Sequence, residues 1–286
     1  MLKPFKALAL AGAMLSLALS AAAQPAAGPG SFADVDGGRI YYETCGSDGP
    51  AIVLLHDGVA HSAGWDGVWP LLCKDFHVVR YDRRGYGRSP EAKAAYSPLD
   101  DLKAVMAAAK IDHAAMVGSS NGGGLAIDFT LLHPEAVDHL VVVGPEVSGL
   151  RYSEHFLRRL TELSQMIGQG DLMGAIKASW MMAPGHDADA RRLLEMVLAN
   201  PQNLTHKDPI RPAVPAAPRL GSIRAPTLVL VGEADIADNQ SQAGVVEYAI
   251  PHARRIVVRD AGHMMYMEHP DVFAGLVSRF VRGEAP

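Results

Sequence analysis

The run Ala114-Ala115-Met116-Val117-Gly118-Ser119-Ser120-Asn121-Gly122-Gly123-Gly124 constrains the fold of this chain more than any other stretch. It reads as a short apolar strand, a Gly-x-Ser-x-Gly turn centred on Ser120, and a helix over residues 122–132. Such a turn lifts a serine hydroxyl onto a sharp strand-to-helix corner, with the free N–H groups of the helix start behind it. Small neighbours are needed because the corner strains the serine backbone and larger side chains would clash. Glycine-rich turns with incidental serines are common, so the flanking strand and helix carry the reading.

The rest of the chain supplies a sheet for that corner. Residues 39–45, 51–56, 77–81, 114–119, 137–143, 227–232 and 254–258 read as strands. Most are short continuous apolar runs, the pattern of strands buried on both faces of a parallel sheet. Helical segments alternate with them: 98–109 behind a cap-like Ser97, 241–249, and 271–281. This alternation predicts an α/β architecture with a doubly wound, mostly parallel sheet. Residues 149–221 break the alternation with three helical segments, 154–167, 172–182 and 188–198, closed by the proline-rich run 209–218. They are expected to form a helical cap over the strand ends, where ligands bind in such sheets. The alternative is that they extend the core. The organisation is therefore a core in two parts, 24–148 and 222–286, with the cap at 149–221.

Residues 1–23 look like a secretory signal peptide: Lys3 and Lys6, an apolar run over 7–19, and an Ala-x-Ala cleavage site ending at Ala23. The run is too short for a stable membrane span. The alternative is an uncleaved N-terminal anchor. Cleavage near Ala23 would leave 263 of the 286 residues and a net charge of −7 in place of −5, since two lysines are removed. The expected location is periplasmic or secreted, with no membrane span in the mature chain. Neither the charge nor its distribution suggests a nucleic-acid partner.

A serine hydroxyl needs a base to take its proton, and the base needs an acid to hold its tautomer. Of the 12 histidines, His263 is the best base candidate. It lies in Asp260-Ala261-Gly262-His263, a loop between the last strand and the last helix. His269, in Glu268-His269-Pro270, reads as structural. The acid should leave the end of an earlier strand. Asp235, in Gly232-Glu233-Ala234-Asp235, fits; Glu146 is its rival, and Asp238 reads as a helix cap. An oxyanion needs two N–H donors, expected from Asn121 and from Gly58 in His56-Asp57-Gly58. No metal site is expected, because no histidine pair has i, i+4 spacing beside an acid. No cofactor is expected either: Gly122-Gly123-Gly124 lacks dinucleotide-binding spacing.

The order Ser120, Asp235, His263 resembles that of the α/β-hydrolase superfamily. Tyr81-Asp82-Arg83-Arg84-Gly85-Tyr86-Gly87-Arg88-Ser89 resembles its Asp-x-Arg-Gly-x-Gly-x-Ser loop. Residues His56 through Trp65 resemble its His-Gly oxyanion loop with a downstream tryptophan. Together these motifs span nearly all of the chain beyond residue 23 except the cap. The resemblance is to the small esterase, enol-lactonase and C–C hydrolase members. It implies an eight-stranded sheet and a serine hydrolase with a small-molecule ester or lactone substrate. Alternatives on the same three residues are C–C bond hydrolysis, cofactor-free perhydrolysis, or a non-catalytic binding protein. Dehalogenases and epoxide hydrolases of this fold carry Asp at the nucleophile position, so Ser120 excludes them.

Two positions depart from the family pattern. Asp57 stands where glycine is usual. It could repel the oxyanion, contact a substrate group, or make hydrogen bonds within its loop. Asn121 stands where relatives carry Met, Gln or His. The fold places the second strand antiparallel to the fourth, which implies a Cys45–Cys73 disulfide in an exported chain; the alternative is two buried thiols. In the cap, Trp180 and Met181, with Met182, Met166 and Met173, suggest an apolar pocket roof. The alternative for these methionines is ordinary core packing.

Overall fold

The structure is a computed structural model describing residues 30–46, 49–206, 208–211 and 214–286. The expected signal peptide lies outside the described residues.

Eight strands form one sheet: β1 (Ser31–Val35), β2 (Gly38–Cys45), β3 (Ala51–Leu55), β4 (His77–Tyr81), β5 (Ala114–Ser119), β6 (Val137–Val143), β7 (Thr227–Gly232) and β8 (Arg254–Val258). Their spatial order is β1-β2-β4-β3-β5-β6-β7-β8. β2 is antiparallel to β1 and β4; every other pair is parallel. Alternation along each strand feeds two cores. In β3, Ile52 and Leu54 join Trp65, Phe76 and Phe273 on one face. Val53 and Leu55 join Leu102, Phe129 and Val246 on the other. Both faces being apolar explains why the central strands read as unbroken hydrophobic runs.

The helices are α1 (Trp69–Leu72), α2 (Pro98–Ala108), α3 (Asn121–Leu132), α4 (Glu154–Gly168), α5 (Leu172–Ala178), α6 (Asp187–Ala199), α7 (Gln202–Thr205), α8 (Ala237–Ala249), α9 (Met265–Glu268) and α10 (Pro270–Val281). α2, α3 and α8 cover one face of the sheet. α1 and α10 cover the other. Among the described residues no helix is long and apolar enough to cross a membrane.

Helices α4 to α7 lie between β6 and β7 in sequence. Phe156, Leu163, Ala175 and Trp180 form a small apolar cluster of their own. α4 is capped by Ser153, whose hydroxyl accepts from Phe156 N–H. The helix expected over 172–182 ends at Ala178. Side-chain type alone would allow the helix to continue, but the next carbonyls have other partners. His263 N–H donates to Trp180 O and Met264 N–H to Met181 O, both at 2.9 Å. Residues 180–183 are thereby laced to the loop that carries His263. Glu268 completes the seam: its carboxylate accepts from Ala183 N–H and Gly262 N–H, at 2.5 and 2.7 Å.

One strand is added to the seven named from sequence, and one further expectation is corrected. The edge strand β1 was not foreseen by pattern, since Phe32 and its outward neighbours are exposed. Asp238 does not cap its own helix. Its carboxylate accepts from Ser153 N–H and Oγ–H, pinning the start of α4 to α8. Cys45 and Cys73 are disulfide-bonded with Cα atoms 5.4 Å apart. β2 pairs with β4, placing Cys45 opposite Val78, just beyond Cys73.

Candidate active site

Ser120 occupies the corner between β5 and α3 with φ 55° and ψ −121°, a conformation that L-residues rarely adopt. The strain is held from three sides: Ser120 N–H donates to Val143 O, and Ser120 O accepts from Gly124 N–H and Glu146 N–H. Glycines permit the close approach. A Cβ on Gly122 would lie 2.4 Å from the carbonyl oxygen of His56, and one on Gly118 2.3 Å from Gly122 O.

His263 and Asp235 are buried. His263 Nδ1–H donates to Asp235 Oδ2 at 2.7 Å. Asp235 Oδ1 is held by Asn239 Nδ2 at 2.7 Å and by Ile236 N–H at 2.8 Å. Burial by itself pushes the His263 imidazole toward lower pKa. The Asp235 charge and hydrogen bond, helped by Asp57 and Glu146, outweigh it and hold the pKa above the ordinary value. Glu146 makes no hydrogen bond to His263. Burial raises its own pKa against the pull of Arg83 and His263.

Ser120, His263 and Glu146 share the wall of a cavity of about 270 Å³. Its apolar side comes from the cap: Tyr152, Phe156, Leu160, Trp180 and Met181. No hydrogen bond links Ser120 to His263. Met182 packs into the main core, whereas Met166 supports the cluster around Trp180 and Met173 packs against the main core; none of the three lines this cavity. A second cavity of about 610 Å³ lies beyond Asn121 and Glu146 and touches neither Ser120 nor His263.

Gly58, in the wall of the smaller cavity, lies against Asn121: a Cβ on it would be 2.7 Å from Asn121 Nδ2. Asn121 opens α3, so its N–H belongs to the unpaired donors of a helix start. Its side-chain oxygen accepts from Arg83 Nη2 at 3.0 Å. Asp57 sits in the cavity wall, but both its carboxylate oxygens are engaged by protein. Oδ1 accepts from Val59 N–H and Ala60 N–H, and Oδ2 from the buried Tyr266 hydroxyl at 2.5 Å. Its carboxylate therefore braces the loop and is not free to bind a substrate group, which narrows the pocket role expected of it.

The loop after β4 braces the same region. Asp82 accepts from Ser62 N–H and Arg88 N–H, Arg84 grips Asp101 through two hydrogen bonds, and Arg83 N–H donates to His56 Nε2. Sequence reasoning missed Asn239, Tyr266 and Glu268 as supports. Asn239 was findable from its position four residues after Asp235, on the first turn of α8. Tyr266 reaches Asp57, and Glu268 reaches Ala183, across long sequence separations that left no local signal.

The arrangement offers a strained hydroxyl, a buried acid–imidazole pair and a helix start around one small apolar cavity. The profile of the alpha/beta hydrolase fold matches residues 50–270. The chain belongs to the alpha/beta hydrolase family and is a hydrolase. It is 28% identical over 283 residues to a 2-hydroxy-6-oxononadienedioate/2-hydroxy-6-oxononatrienedioate hydrolase of Klebsiella pneumoniae, covering 90% of this chain and 97% of the relative. It is 26% identical over 266 residues to a pimeloyl-[acyl-carrier protein] methyl ester esterase of Edwardsiella ictaluri, covering 86% and 98%. The enol-lactonase structure from Burkholderia xenovorans shares the fold at a TM-score of 0.74, with 23% identity over 88% of this chain and 100% of that one.

Proposed function

We propose that the chain is an exported serine hydrolase that cleaves a carboxylic ester or lactone through an acyl-enzyme on Ser120. One observation carries this reading: the strained Ser120 and His263, which is hydrogen-bonded to Asp235, line the same cavity. In the reaction Ser120 Oγ attacks the substrate carbonyl as His263 Nε2 takes its proton. The tetrahedral oxyanion is held by the N–H groups of Asn121 and Gly58. His263 then protonates the leaving alcohol, and the acyl-enzyme forms. Water enters, gives a proton to His263, and releases the acid and Ser120. Asp235 keeps Nδ1 protonated and stabilises the imidazolium. A lactone follows the same steps, its alcohol remaining tethered to the acyl group.

The cavity of about 270 Å³ falls just below the usual size of small-molecule sites, and this favours a short acyl group. Export is supported by the residue 1–23 pattern and by the Cys45–Cys73 bond, since disulfides persist in oxidising compartments. The likeness to a C–C bond hydrolase supports a second reading on the same residues.

A fluorophosphonate probe and a panel of esters, lactones and vinylogous diketones test the proposal. Wild type should be labelled and should turn over esters or lactones. Ser120→Ala should lose the label and lower turnover by at least about 10³-fold. Ester hydrolysis persisting in purified Ser120→Ala would refute the nucleophile. Turnover confined to diketones would move the assignment to C–C hydrolysis.

A further inference from the structure

Outside the cavity, His186, Asp260 and His269 converge from three elements: the residue before α6, the turn after β8, and the junction of α9 and α10. Each brings one ligand atom to within 4.8 Å of the others. The imidazole rings stand edge to face with centroids 5.0 Å apart. The geometry points to a divalent transition-metal site here, with zinc as the best match.

Four observations support it. First, the donor set of two imidazoles and one carboxylate suits zinc, whereas magnesium and calcium prefer oxygen-only shells. Second, His186 is oriented as metal-binding histidines are. Its Nδ1 faces Asp189 Oδ2 at 3.3 Å, which leaves Nε2 directed at Asp260 Oδ2, 3.5 Å away. A carboxylate behind the ring fixes the tautomer and raises ligand basicity. Third, the Asp260 backbone is held in a positive-φ turn, and its carbonyl accepts from His269 Nε2 at 2.6 Å, which leaves Nδ1 as the nitrogen of His269 that can ligate. The turn that presents the carboxylate is thus already shaped. Fourth, the histidines are half-buried while Asp260 is exposed, so an ion has an entry path.

Tetrahedral zinc with bonds of about 2.1 Å needs donors about 3.4 Å apart. His186 Nε2 and Asp260 Oδ2 already stand 3.5 Å apart, and all three donors lie within 4.8 Å of one another. Water takes the fourth position. Among the described residues Arg192 competes for the orienting acid, its Nη1 lying 3.5 Å from Asp189 Oδ1.

None of the three residues lines the Ser120 cavity, so the ion has no part in the chemistry. Its place is structural. It ties α6 to the turn that leads into His263, beside the hydrogen bonds that already join residues 180–183 to 261–264. The site was invisible in sequence because its histidines belong to different elements, not to one helix.

The test is zinc chloride titration of the tag-free, chelator-treated full chain, followed by calorimetry and equilibrium dialysis. Wild type should bind one zinc per chain and gain thermal stability from it. His186→Gln and His269→Gln should each weaken binding at least about tenfold and lose the thermal gain. Their melting in the absence of zinc shows whether they fold, and His252→Gln, at an unrelated surface turn, should bind as wild type does. Cobalt(II) should give the visible bands of a four-coordinate site in wild type only. Zinc bound at well under one equivalent would overturn the site, and so would equal affinity in folded His186→Gln and His269→Gln.

Discussion

Replacing Asp57 with alanine should damage stability and turnover together. The Asp57 carboxylate accepts three hydrogen bonds: Val59 N–H at 2.7 Å, Ala60 N–H at 2.8 Å and Tyr266 O–H at 2.5 Å. Hydrogen bonds to a charged acceptor contribute about 1.5–3 kcal/mol each, and stranding a buried donor costs about 1–3 kcal/mol. Tyr266 and Ala60 are fully buried, so their donors bear the whole loss; Val59 is half-exposed and water can serve it. The expected loss is about 4 kcal/mol, a large share of the stability of an ordinary domain. Because the same loop carries Gly58 N–H, its relaxation should also lower kcat by about 10²-fold on the folded fraction. Urea denaturation at constant m gives the first quantity. Fluorophosphonate titration of active sites followed by initial rates gives the second. Asp57→Asn is the control for charge. It keeps an acceptor for the two N–H groups and removes the negative charge near the oxyanion, so kcat should hold or rise. A loss under about 1 kcal/mol with unchanged kcat in Asp57→Ala would refute the bracing role. A large fall in kcat in a fully stable Asp57→Asn would show that the charge itself serves the reaction.

Asp235→Asn should lower kcat by about 10²–10⁴-fold and move the acid limb of kcat/KM to lower pH. The limb reports protonation of His263, which Asp235 holds above the ordinary imidazole value, so removing the charge lowers it. The sign for stability is the same: the pair stabilises fully below the unfolded imidazole pKa and fades as pH rises through the raised folded value. Trp180→Ala should reorder kcat/KM across an acyl-length series; a uniform fall across all substrates, with a lower melting temperature, would mean the indole only packs. Reducing Cys45–Cys73, which closes a 28-residue separation, should cost about 3.6 kcal/mol in the chain-entropy model. No change in urea midpoint on reduction would refute it.

The strands were legible because β3, β5, β7 and the second half of β6 (Leu140 to Val143) are almost wholly buried on both faces and therefore mostly apolar. β1 was not, because an exposed edge strand carries no such run. The corner at Ser120 was legible because close packing there admits only glycine at Gly118 and Gly122. The strand-end positions of Asp235 and His263 followed from their loops. What lay beyond local reading were bonds between distant segments. The end of α5 at Ala178 is set by donors eighty residues away, and Asp238, which resembles a cap, is taken by Ser153. Asp57 could not be assigned until Tyr266 was seen against it.

The seam between residues 180–183 and 261–264 separates two kinds of change in this molecule. Trp180 and Met181 present their side chains to the cavity, while their carbonyl oxygens receive the N–H groups of His263 and Met264. Exchanging a side chain leaves its carbonyl where it was. Adding or removing a residue would shift the carbonyls out of register and carry the imidazole with them. A library built to alter selectivity should therefore tolerate point substitution at positions 180 and 181 and lose turnover on length changes there, whereas the exposed loop after α5, around Pro184 and Gly185, should accept insertions.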